Sequence, residues 1–211
     1  MNPTAYKLLD FLIRCHRRIK RFIDRAGARI EIAHAGIKWN NSWAFRKRPI
    51  IRISQQGGKI TIGPQVMFNS DIRHNSWGII QPVLLCVGPN ASLDIGARVG
   101  LSGCTISARE SIAIGHDTLI GTGAVIADND AHGLQPGTRN APKAIESAPV
   151  VIGNEVFVGA RALVLKGVTI GHGCTVAAGS IVTHDIPPNS IAAGSPAKVI
   201  RQNIPQKLSS T

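Results

Sequence analysis

The stretch IGNEVFVGARALVLKGVTIGHGCTVAAGSIVTHDIP, residues 152–187, divides without remainder into six hexads: IGNEVF, VGARAL, VLKGVT, IGHGCT, VAAGSI and VTHDIP. The first position is always β-branched: Ile152, Val158, Val164, Ile170, Val176 and Val182. The fifth is small or aliphatic: Val156, Ala162, Val168, Cys174, Ser180 and Ile186. A fixed short period of this kind marks a solenoid. Each hexad supplies one short strand and one turn, and three hexads make one coil. First and fifth positions then point inward, and each coil buries its faces only against the next.

The same phase runs through Ile114, Ile120 and Ile126, and a shifted fragment carries Ile95 and Leu101. ITIGPQV, residues 60–66, reads as a degenerate start. A narrow prism has room for Val, Ile, Ala, Cys and Ser and for little else. This accounts for an aromatic content of only 4% and for the 22 glycines, which suit tight corners. The expected fold is an all-β solenoid of hexapeptide repeats over residues 60–187. A basic helix and extended segment (1–59) precede it and a tail (188–211) follows.

Charge is distributed unevenly. Residues 1–60 hold 14 Lys/Arg and 3 Asp/Glu (14 − 3 = +11), which is nearly all of the net +12. Residues 4–26 read as a helix with Leu8, Leu12, Cys15, Ile19 and Phe22 on one stripe and Arg14, Arg17, Arg18, Lys20, Arg21 and Arg25 elsewhere. Gly27 is the expected stop. The plainer reading packs this stripe on the protein's own domain. The other is peripheral contact with an anionic membrane surface. No nucleic-acid partner is expected.

The four cysteines show no CxxC spacing, so neither a zinc pattern nor a disulfide framework is read. The N-terminus offers no uninterrupted apolar segment with a cleavage site, and no run approaches the length of a spanning helix. A cytoplasmic location is expected, with peripheral attachment at the inner face of the membrane if the helix binds lipid.

ADNDAHGLQPGTRN, residues 127–140, breaks the repeat. Counting on from Ile126 would point His132 into the prism. The next hexad run, however, starts only at Ile152, slightly more than one three-hexad coil beyond His132, and residues 133–148 carry prolines, glycines and charges. The segment therefore reads as a loop presenting Asp128, Asp130 and His132.

These features resemble the hexapeptide-repeat acyltransferases. The GVTIGHGCTVAAGSIVTHDIPPNSIAAGSPAKVIR run (167–201) and the DNDAHGLQP segment (128–136) resemble the sugar and exopolysaccharide O-acetyltransferase branch. The resemblance implies a left-handed parallel β-helix, a homotrimer with sites between subunits, and acetyl-CoA as co-substrate; no metal is expected, because the histidines offer no matching ligand set. It implies as acceptor a hydroxyl of a sugar or of a polysaccharide or lipopolysaccharide precursor. His132 is then the catalytic base, a role that suits imidazole, whose ordinary pKa is about 6.5. Asp130, Asp128 or a backbone carbonyl would orient it; as a plain alternative, the two acids cap turns. By the same resemblance Ala160, Ala178 and Thr183 line the pantetheine groove, and Lys198 and Arg201 meet the nucleotide phosphates. Ser102 and Arg139 are the acceptor-side candidates. N-acetylation of an amino sugar and a non-catalytic scaffold of a polysaccharide assembly complex remain the rival readings.

Overall fold

A computed structural model describes residues 3–202. The chain winds as a three-sided parallel β-helix, each turn laying one short strand on each face. The first face stacks Ala44–Arg46, Met67–Asn69, Gly100–Ser102, Leu119–Ile120, Phe157–Val158, Thr175–Val176 and Ile191–Gly194, with Ala197–Arg201 returning antiparallel. The second face stacks Ile50–Ile53, Leu84–Val87, Thr105–Ala108, Val125–Ala127, Leu163–Val164 and Ile181–Val182. The third stacks Lys59–Ile62, Ser92–Ile95, Ser111–Ile114, Val150–Ile152 and Thr169–Ile170.

Hexad phase becomes coil register. Ile152 pairs with Ile170, Val158 with Val176 and Val164 with Val182, each partner lying three hexads further along the chain. The six first positions and six fifth positions of residues 152–187 are all buried, none more than 4% exposed. Coils approach so closely at the corners that some glycines there are obligatory. A Cβ on Gly153 would lie 2.7 Å from the His172 nitrogen, and one on Gly159 would lie 2.5 Å from the Ala178 nitrogen.

The solenoid begins earlier than residue 60. Ala44–Arg46 and Ile50–Ile53 are already paired, in register, with the coil that follows them. Their basic side chains hid this: Phe45 and Ile51 point inward while Arg46 and Arg52 point out. The solenoid also passes residue 187, because Ile191–Gly194 continues the first face. Of the expected tail, residues 203–211 lie outside the described residues. Trp39, Trp43, Phe45 and Phe68 gather at the N-terminal end, where Trp39 stacks on Phe45 at 5.5 Å and Phe45 on Phe68 at 5.0 Å. They close the end of a stack whose first coil has no coil before it.

Helix α1 spans Pro3–His34 and runs straight through the expected stop at Gly27. Packing keeps it going. Ala28 and Ile32 are fully buried against the first coil, and the Glu31 carboxylate accepts from the Ile51 N–H at 3.0 Å. The helix ends at Gly36, φ +70°, where the Gly36 and Ile37 N–H groups bond back to Ala33 and Ile32 in a Schellman motif. Lys20 anchors the helix from further up, reaching both Asp24 (2.7 Å) and the wholly buried Asp71 (2.8 Å). Burial alone would raise the Asp71 pKa, but hydrogen bonds from Arg73 and Lys20 outweigh it and hold the carboxyl well below the usual range. The expected apolar stripe does not pack on its own domain; Leu8, Leu12, Ile19 and Phe22 all face solvent.

Substituting Gly153→Ala forces a methyl group onto the backbone of the next coil. It is expected to lower unfolding free energy by about 1–3 kcal/mol, the usual range for an overpacked site, as measured by equilibrium denaturant unfolding.

Candidate active site

The segment between Val125–Ala127 and Val150–Ile152 is the insertion foreseen from the broken repeat. A regular coil takes three hexads, as from Ile152 to its partner Ile170. Ile114 and Ile152 are likewise stacked partners, yet the chain between them is more than twice that length. Because the register is kept, the extra sequence must leave and return at one corner, between the second and third faces. The two legs are zipped together at their base. Asn129 bridges Ser147, the Asp130 N–H donates to the Glu146 carbonyl at 3.1 Å, and the Ala148 N–H donates to the Asp128 carbonyl at 2.9 Å.

Asp128 holds the loop to the preceding coil. Its side chain is fully buried and accepts from the N–H groups of Arg109 (2.7 Å) and Glu110 (2.8 Å) and from the Asn129 amide (3.0 Å). It thus has the turn-capping role that was its plain alternative. Asp130 does not orient the imidazole. Its carboxylate pairs with Lys166, which also reaches Glu146 at 2.9 Å. One ammonium group therefore staples both legs of the loop, and its hydrogen bonds to the two carboxylates raise the Lys166 pKa.

His132 follows Ala131, whose φ of +62° turns the chain outward. The imidazole is exposed, not buried as naive phase counting implied. Its Nδ1 lies 3.0 Å from the Arg139 carbonyl oxygen. A carbonyl can only accept, so this contact places a proton on Nδ1 and leaves the Nε2 lone pair of the neutral ring facing outward. This is the tautomer a general base needs. The orienting group is thus the main chain of Arg139, one of the three options read from the sequence, and the Arg139 side chain is exposed on the loop. Gly133 makes the fold-back possible, since a Cβ there would sit 2.6 Å from the Thr138 carbonyl oxygen.

The remaining candidates separate into groups. Ser102, Ala160 and Ala178 come together along a groove of about 550 Å³ on the first face. Trp77, Arg46 and Arg98, which were not singled out from the sequence, line the same groove. Trp77 sits in an irregular insertion, residues 70–82, that breaks the repeat much as the histidine loop does. Thr183 stands outside the groove after a second-face strand, its hydroxyl 2.8 Å from His184 Nδ1. Lys198 and Arg201 are exposed on the antiparallel hairpin that extends the first face. His132 does not line the groove. Within one chain, imidazole and groove occupy different sides of the prism. Among the described residues, no cluster of three or more His, Cys, Asp or Glu side chains is arranged to hold a metal ion.

Residues 149–184 match the family model described as the hexapeptide repeat of succinyl-transferase. Curated relatives include a 2,3,4,5-tetrahydropyridine-2,6-dicarboxylate N-acetyltransferase of Staphylococcus aureus, 43% identical over 88 residues, 42% of this chain and 32% of the relative. The chain thus spans about a third of the length of the curated relatives it matches. A maltose O-acetyltransferase from Clostridium difficile 630 is 27% identical with a TM-score of 0.55, over 67% of this chain and 68% of its own. A hexapeptide-repeat acetyltransferase from Vibrio cholerae O1 biovar eltor, solved with acetyl coenzyme A, is 25% identical with a TM-score of 0.51, over 68% and 67%. The hexapeptide repeat read from the sequence, and the left-handed parallel β-helix that the resemblance implied, are those of this chain.

Replacing Asp128 by Ala strands the Arg109 and Glu110 N–H groups. A loss of about 1–3 kcal/mol in unfolding free energy is expected for stranded buried donors, measured by denaturant titration. Faster proteolytic nicking within residues 133–148 should accompany it.

Proposed function

The chain has the repeat and the fold of the hexapeptide-repeat acyltransferases, and from that premise we propose that it is an acetyl-CoA-dependent O-acetyltransferase. Its acceptor is a hydroxyl of a sugar or of a glycan precursor. One observation carries the reading: an exposed imidazole whose Nδ1 is tied to a main-chain carbonyl, just beyond the closed base of the loop that interrupts the repeat. In this mechanism His132 Nε2 takes the acceptor hydroxyl proton as the oxygen attacks the thioester carbonyl carbon. The carbon–sulfur bond then breaks, the acetyl group stays on the acceptor oxygen, and the imidazolium returns its proton to the departing thiolate. No covalent acyl-enzyme is required. Cys104, the most deeply buried thiol, has its pKa pushed up to about 12 by burial and is a poor nucleophile.

Coenzyme A would lie on the first-face groove. The corner bearing Ala160 and Ala178 suits an extended arm because its side chains are methyl-sized and the space around Gly179 is open, with nothing within 4 Å of a Cβ built there. Lys198 and Arg201, exposed at the same end of the first face, would meet the phosphates. Since His132 stands on another side of the prism, groove and base are joined when the groove of one copy faces the loop of another. This supports a homotrimer. Trp77 in the groove offers a stacking surface for a sugar ring.

A second reading is favoured by the curated N-acetyltransferase relatives. In it the same base takes a proton from an amino sugar. Hydroxylamine separates the two, since it cleaves an ester product and spares an amide.

His132→Ala is expected to slow acetyl transfer by roughly 10²–10⁴ with the KM for acetyl-CoA unchanged, read by mass-spectrometric assay on a sugar acceptor panel. Co-expression of His132→Ala with Ala178→Trp should restore partial activity, because some mixed assemblies then carry an intact loop facing an intact groove. Wild-type rates in His132→Ala would remove the base assignment, and no recovery on mixing would remove the shared site.

A further inference from the structure

Helix α1 is held by one side only. At about 100° per residue, Lys20, Asp24, Arg25, Ala28, Glu31 and Ile32 all fall on one half of its circumference. Five of them touch the body of the protein, and Asp24 pairs with Lys20 beside them. Lys20 pairs with both Asp24 and Asp71, and Arg25 donates to the Asn41 carbonyl at 3.0 Å. Ala28 and Ile32 are buried, and Glu31 accepts from Ile51. The apolar stripe sits roughly half a turn away. Leu12, Ile19, Ile23 and Ile30 cluster within about 40° of one another, with Leu8, Phe11 and Phe22 alongside. Exposures of 54, 61, 60 and 71% for the first four, and 75% for Phe22, leave them largely uncovered by the described residues.

An apolar face of this length on a surface helix marks an interaction site. Its charge surroundings say which kind. Within α1 there are 8 Lys/Arg against 3 Asp/Glu, 8 − 3 = +5. Lys7 and Arg18 fall along one border of the stripe, whereas Arg25 and Arg29 lie over the Trp39 ring of the body. Two such helices packed stripe to stripe would bring like charges together. An anionic bilayer surface instead offers hydrocarbon to the stripe and headgroup charge to its border. Among the described residues no helix is long and apolar enough to cross a membrane, so the geometry is that of a helix lying in the interface. Leu12 lines a cleft shared with Phe45, Arg46 and Met67, whereas Ile19, Phe22, Ile23 and Ile30 do not line it.

We infer that α1 docks this protein on an anionic lipid surface through the stripe Leu8–Phe11–Leu12–Ile19–Phe22–Ile23–Ile30, with the flanking basic residues meeting the headgroups. The inference does not depend on the catalytic reading, since it uses no residue of the loop or groove.

The full-length protein is tested by co-sedimentation with vesicles of phosphatidylcholine alone and of about one part phosphatidylglycerol to two parts phosphatidylcholine. Binding is expected to the anionic vesicles, weakened by salt as surface charge is screened. The double variant Phe11→Ser, Phe22→Ser should lower the partition coefficient by at least about tenfold. Lys7→Glu, Arg18→Glu should abolish the preference for anionic lipid. All four side chains are exposed, so unfolding midpoints and acetyl transfer in solution should be unchanged. Sedimentation velocity runs in parallel. Equal binding of the serine variant overturns the inference, as does no binding of the wild type. A fall in oligomer mass in the serine variant, without lipid binding by the wild type, assigns the stripe to self-association and also overturns it.

Discussion

The stacking of one coil on the next, in fixed parallel register, is the constraint from which the rest of this structure follows. No coil has a core of its own. Ile152 is buried because Ile114 lies on one side and Ile170 on the other, and the same holds around all three faces. A slip of one residue would turn every inward side chain outward. Any added segment must therefore leave the wall and rejoin it in phase. Residues 128–149 obey this: more than a coil's length of extra sequence intervenes, yet Ile114 and Ile152 still pair. The rule that makes the wall regular also makes its interruptions project. Both insertions, the histidine loop and residues 70–82, bring side chains to the surface that the narrow interior has no room for.

How much of this was legible depended on the range of the interaction involved. The hexad phase is local and repeated, so the inward positions of residues 152–187 could be read directly, and so could the loop. The start of the solenoid could not. In FRKRPIIRIS the outward side chains are arginines and lysine, and their charge masked an alternation that puts Phe45 and Ile51 inside. The helix end was missed for a related reason. Gly27 lowers helix propensity locally, but Ala28, Glu31 and Ile32 are held by tertiary contacts that outweigh it. In the loop, Asp130 looked like a partner for the neighbouring imidazole. Its actual partner, Lys166, is distant in the chain and stands third in a hexad, where a lysine reads as solvated charge. The carbonyl of Arg139 leaves no signature at all, since every residue has one.

The charge asymmetry acquires a physical meaning from the same structure. The solenoid beyond residue 60 is close to neutral, and the excess lies at the end that α1 covers. Buried Asp71 is the pivot there. It takes Lys20 from the helix and Arg73 from its own segment, and these bonds keep it ionised despite burial. Since an uncompensated buried charge is costly, the helix cannot roll about its axis without stranding that carboxylate. This fixes which half of α1 meets the body and, by the helix period, which half does not. The exposed stripe is a consequence of the anchoring contacts on the opposite side and not of a lack of apolar surface to pack against.

A similar chain of dependence governs the imidazole. The Arg139 carbonyl can select the Nδ1-protonated ring only if the loop folds back between His132 and Arg139, which the space at Gly133 permits. The fold-back in turn needs both legs closed at the base, where Lys166 spans Asp130 and Glu146 and where Asp128 is locked to the previous coil. The two carboxylates that Lys166 joins raise its pKa and favour the ammonium form that closes the loop. The two aspartates beside the histidine thus act on it through the backbone. Asp128 fixes where the loop departs, Asp130 fixes where it returns, and the ring is aligned by a carbonyl that both of them hold in place.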